Sequence, residues 1–109
     1  MAKNQIITTY DDEGFPVNAI FTTPIAAGSS TTVVKQSPGR VAAVIVTTSG
    51  TSSDNATIYD NASAASGTIL AVIPGGQTVG TRYSVDMPAQ NGITVVNVAS
   101  GPAFTVGYS

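Results

Sequence analysis

Apolar and polar positions alternate in short runs along most of this chain, and turn residues end each run after a few positions. From residue 31 the rhythm is regular. Residues 31–35 (TTVVK) predict a strand, and Ser37, Pro38 and Gly39 predict a turn after it. Residues 40–48 (RVAAVIVTT) are the longest apolar run, with Val41, Ala43 and Ile45 on one face and Ala42, Val44 and Val46 on the other. A strand that is apolar on both sides is expected to lie centrally or to face a subunit contact. Residues 56–60, 68–73, 81–87, 93–98 and 103–108 read as five further strands. In the run 81–87, Tyr83, Val85 and Met87 are expected inward and Arg82, Ser84 and Asp86 outward. No connection is long enough for a crossover helix, which rules out parallel βαβ units.

Seven strands at this spacing predict an all-β fold: a single antiparallel β-sandwich or small jelly-roll-like barrel over residues 31–109. Composition agrees. The chain carries 13 Val, 9 Ile and 15 Thr against a single Leu, and β-branched side chains fit a pleated surface better than a helix.

Residues 1–30 break the rhythm and read as an extended N-terminal arm. Ile6, Ile7, Tyr10, Phe15, Val17, Ile20, Phe21 and Ile25 make it too apolar for a plain solvated tail. Pro16 and Pro24 hold the chain extended, and Gly28, Ser29 and Ser30 read as a hinge. The apolar side chains need a surface, either on this domain or on a neighbour, and the neighbour is favoured for part of them.

Charge sharpens the picture. Only 9% of the 109 residues are charged and the formal net charge is −2, where an ordinary soluble domain carries about 25% charged residues. A surface of Thr, Ser, Asn, Gly and Ala loses little hydration when a partner docks. Four basic residues cannot form a stripe for nucleic acid. No apolar stretch reaches the length of a membrane span, and the first thirty residues lack the pattern of a signal peptide. Arg40 and Arg82, isolated on this neutral background, are candidate anchors for a partner's carboxylates.

Candidate chemistry is sparse. With no His and no Cys, the commonest general base and the thiolate metal sites are missing. Lys35 and Ser37 sit beside Pro38 rather than on a helical turn, which is poor ground for a Ser–Lys nucleophile. Asp60 and Asp86 are expected outward on short strands with no aromatic platform, unlike a glycosidase pair. Asp11, Asp12 and Glu13 are consecutive, and consecutive side chains of an extended segment diverge rather than converge on a cation. The expectation is a protein that is not an enzyme, with no cofactor and no metal site.

Several phrases carry a resemblance: Val33-Val34-Lys35, Pro38-Gly39-Arg40-Val41, Ile58-Tyr59-Asp60-Asn61-Ala62-Ser63, Val72-Ile73-Pro74, Asn91-Gly92-Ile93-Thr94-Val95-Val96 and the ending Phe104-Thr105-Val106-Gly107-Tyr108-Ser109. Over residues 31–109 the chain resembles the head decoration (cement) proteins of tailed bacteriophages, which are small, Cys-free, Thr/Val/Gly-rich β domains. The resemblance implies a virion structural protein on the capsid exterior, made in the host cytoplasm, a homo-oligomer and most often a trimer. It would bridge major capsid proteins, with no nucleic acid or membrane as partner. The alternative is a tail-, neck- or fibre-associated β domain or a carbohydrate-binding adhesin. The resemblance assigns a role to no individual residue. The partner-binding candidates, Ile6, Ile7, Tyr10, Phe15, Ile20, Phe21, Arg40 and Arg82, come from the residue reading alone.

Overall fold

A computed structural model describes residues 21–109, which form eight strands. In chain order they are β1 (Phe21–Ile25), β2 (Thr31–Lys35), β3 (Gly39–Thr48), β4 (Ala56–Asp60), β5 (Thr68–Ile73), β6 (Arg82–Ala89), β7 (Ile93–Val96) and β8 (Ala103–Tyr108). They pair into two four-stranded antiparallel sheets, β1-β8-β3-β6 and β2-β7-β4-β5. Only the β4–β5 hairpin joins neighbours within one sheet; every other connection carries the chain across to the opposite sheet. Eight strands connected in this order make a jelly roll.

Both inner faces are built from branched aliphatics. Ile25, Val41, Val44, Val46, Phe104 and Val106 from the first sheet meet Ala56, Ile58, Leu70, Ile73, Ile93 and Val95 from the second. Burying such side chains is worth about 1.5–3 kcal/mol each, which offsets the cost of ordering the strands.

The eighth strand is β1. Phe21–Ile25, read from the sequence as the end of the arm, pairs along its whole length with β8, from Phe21↔Tyr108 to Ile25↔Phe104. The sandwich therefore includes Phe21–Ile25 as well as the strands from Thr31 onward. Ile25 is buried in the chain's own core. Gly28 and Ser30, read as part of a hinge, adopt left-handed backbone (φ 75° and 58°) in a tied turn. The Gly28 N–H donates to Val98 O at 2.9 Å, and the Asn97 N–H donates to Ser30 O at 2.7 Å. Pro24 lacks an N–H, as suits an edge strand. Of the arm candidates, Ile6, Ile7, Tyr10, Phe15 and Ile20 lie outside the described residues.

Bulges overturn two expectations of which residues face inward. β3 is central, between β8 and β6, but its register with both partners shifts between Val41 and Ala43. The shift brings Val41 into the core with Val44 and Val46, while Ile45 is exposed on the outer face. On β6, Asp86 takes a positive φ of 49° at the same irregularity. β6 is an edge strand, and Met87 beside the bulge is exposed rather than buried.

Close backbone approaches tie the loops at one end of the sandwich. Gly50 has φ 73°, and a Cβ there would meet Gly101 C and Pro102 N at 2.6 Å. Gly50→Ala is expected to destabilise by about 1–3 kcal/mol, through the left-handed backbone and the clash together. Thermal unfolding checks it; an unchanged midpoint would show that the 50–51 and 101–102 loops separate freely.

Candidate functional site

The outer face of β2-β7-β4-β5 is the most distinctive surface of the described residues. The registers set two rows across it. Thr31, Val96, Thr57 and Val72 form one, and Val33, Thr94, Tyr59 and Ile69 form the other. Neither row holds a charged residue. At the two edges the aliphatic side chains stand in solvent: Val33 is 37% exposed, Ile69 52% and Val72 48%. In the centre Thr94 is fully buried, and its hydroxyl donates to Asn61 O at 2.8 Å beneath the loop that follows β4.

β5 owes its double character to a bulge. Between Ile58↔Ala71 and Tyr59↔Ile69 the register slips, which sends Leu70 and Ile73 to the core and leaves Ile69 and Val72 outside. The sequence signal was present in the unbroken apolar run TILAVI, which is apolar on both faces like β3. The sequence reading did not single out Val33, Tyr59, Ile69 and Val72, because only the cross-strand register places them together.

The sequence-predicted partner residues that are described do not gather on this face. Phe21 is 55% exposed at the start of β1, with its ring centroid 5.7 Å from that of Tyr108. Arg40 is half-buried on β3; its guanidinium donates to Asp86 O at 3.1 Å, and its backbone exchanges hydrogen bonds with Ser109 at 3.0 and 2.9 Å. Arg82 is exposed on the other sheet, opposite Ile45, and donates to Ser84 Oγ at 3.3 Å.

Asp60 corrects the sequence reading in a different way. Expected outward, it is buried at the end of β4, where its carboxylate holds the turn before β7. The N–H groups of Gln90, Asn91 and Gly92 donate to it at 3.0, 2.8 and 3.4 Å. Burial by itself would raise its pKa, but these donors and the Asn91 side chain outweigh burial and hold it below the ordinary carboxylate value. A carboxylate that accepts from three successive backbone donors is a structural clasp on that turn. Asn97 clasps the opposite end. Its Nδ2 donates to Ala26 O at 3.2 Å and Pro102 O at 2.7 Å, and its Oδ1 accepts from Val98 N at 2.9 Å. Among the described residues, no group of three or more His, Cys, Asp or Glu could hold a metal ion.

Comparison with known proteins found no matching family model, curated protein or solved structure. The chain's own surface therefore carries the functional argument. An uncharged sheet face rimmed by exposed aliphatics is suited to being covered by protein, since docking there strips water from few polar groups and leaves no charge unpaired.

Proposed function

We propose that the chain is a non-enzymatic virion structural protein that binds the outer surface of a capsid and stabilises the shell by bridging major capsid subunits. The observation that carries this reading is the outer face of β2-β7-β4-β5: two rows across four strands without a charge, edged by Val33, Ile69 and Val72. The phage-decoration phrases supply the setting. Jelly rolls serve both capsid and lectin domains, so the fold alone does not choose between them. The surface chemistry favours the capsid. Sugar recognition draws on exposed aromatic platforms, and this face offers one half-buried ring, Tyr59. Linked copies would engage a shell together, which turns weak single contacts into firm attachment.

The test is binding of the full chain to assembled heads of the phage that encodes it, read by co-sedimentation and by electron microscopy of the head surface. Saturable binding at one small set of stoichiometries is expected. Val72→Lys should abolish it while leaving the variant's unfolding free energy within about 0.5 kcal/mol of the parent, since the side chain is outside the core. A chain that stays monomeric and leaves the heads bare overturns the proposal. Reproducible glycan binding in place of head binding moves the assignment to an adhesin.

A further inference from the structure

We propose that Asn91–Gly92 is a site of spontaneous deamidation held shut by the Asp60 clasp, and that opening the clasp lets water convert Asn91 to aspartate or β-linked aspartate. The site stands whatever partner the outer sheet face meets.

Chemistry singles out this dipeptide. The chain has six asparagines, and Asn91 alone is followed by glycine. In deamidation the backbone nitrogen of the next residue gives up its proton to solvent base and attacks the asparagine Cγ. The Cγ–Nδ2 bond breaks, and ammonia leaves with a proton from water. A cyclic imide remains, and water opens it at either carbonyl. The net change is a water taken up and an ammonia released, with no oxidation or reduction. Glycine is the most permissive neighbour, because it has no Cβ to crowd the attacking nitrogen.

The fold opposes each part of that reaction. The Gly92 N–H donates to Asp60 Oδ1 at 3.4 Å, so the proton that must leave is held by a carboxylate, and the amide anion would form beside a negative charge. The Asn91 N–H donates to the same oxygen at 2.8 Å, the Gln90 N–H donates to Oδ2 at 3.0 Å, and the Asn91 side chain also donates to Asp60. Pinned in this way, Asn91 cannot turn its Cγ onto the Gly92 nitrogen. Gly92 is buried, and a Cβ there would meet Lys35 O at 2.6 Å, Ala62 Cα at 2.7 Å and Asn61 O at 2.9 Å. The surrounding backbone supplies the crowding that the sequence omits. Asn91 itself is exposed, so water is at hand once the turn opens.

Conversion would also be one-way. The Asn91 amide donates to Asp60, whereas the product carboxylate can only accept and repels its neighbour. The β-linked product lengthens the backbone just before β7, the strand between β2 and β4. Either product removes the clasp that had protected it.

The parent chain, Asp60→Ala, Asp60→Asn and Gly50→Ala are incubated in warm, mildly alkaline buffer, with the parent in urea as the unclasped reference. Peptide mass spectrometry follows the exchange of NH₂ for OH at residue 91. The folded parent should convert at least about a hundredfold more slowly than the parent in urea, the protection that roughly 2.8 kcal/mol of local closure gives. Asp60→Ala should convert at least about tenfold faster than the folded parent. Asp60→Asn should also be faster, and it decides the matter if Asp60→Ala does not fold. Gly50→Ala weakens the opposite end of the sandwich, beside Gly101 and Pro102, and should match the parent within about twofold. Equal rates with and without urea, or Asp60 variants no faster than the parent, would overturn the proposal. So would equal quickening by the Asp60 and Gly50 variants, since conversion would then wait on global unfolding.

Discussion

Truncating Phe104 to alanine should lower the unfolding free energy by about 3–5 kcal/mol, a large part of the 5–15 kcal/mol that holds a typical domain. Phe104 heads the fully buried side chains by volume and is 0% exposed. It lies on β8 between Ile25 of β1 and Val46 of β3, so its ring closes the core where three strands of one sheet face the other. The neighbours are β-branched and stiff at χ1, which limits how far they can collapse into the space the ring leaves. Phe21→Ala, at a ring that is 55% exposed, is the matched control and should cost under about 1 kcal/mol. Urea unfolding measures both, and equal losses would contradict the packing described here.

Asp60→Ala should cost about 2–4 kcal/mol, because it leaves the donors of Gln90, Asn91 and Gly92 without their acceptor at a buried strand end. Asp60→Asn keeps the shape but turns an NH₂ toward N–H groups and loses the charge, so it should recover only part of the loss. The same clasp makes an acid-sensitivity prediction. The folded-state pKa of Asp60 is lowered, so the folded protein releases that proton more readily than the unfolded chain. The stabilisation is therefore complete above the ordinary carboxylate value near 3.9 and fades as pH falls from there toward the lowered value. The gap in unfolding free energy between parent and Asp60→Ala should be constant from about pH 7 to 5 and narrow below about pH 4. A gap that widens in acid would reverse the sign and refute the clasp.

The strands were legible because a pleated strand shows its two faces at a period of two, and because Pro and Gly end strands for reasons internal to one residue. All seven expected strands begin within one residue of the observed ones, and four of them, 31–35, 56–60, 68–73 and 103–108, coincide. The run 21–25 was less legible. FTTPI contains a proline, and its strand character comes from pairing with β8, 79 to 87 positions away.

The candidate site was the least legible part. Ile69 and Val72 are three apart, a spacing that an unbroken alternation assigns to opposite faces; the β5 bulge puts both outside. Asp60 follows a similar logic. In sequence it is a polar residue ending a strand, and only the arrival of the 90–92 turn, thirty residues on, makes it a buried acceptor.

The chain's composition and alternation, taken alone, determined an all-β antiparallel sandwich with an unusually uncharged surface, because side-chain branching, turn chemistry and charge are properties of single residues and their near neighbours. The tertiary structure decided the jelly-roll order, the bulged registers, the two clasps and the uncharged outer face. All but one of the connections cross between sheets, so each remaining pairing is fixed by which distant apolar faces bury each other, and no local turn encodes that choice.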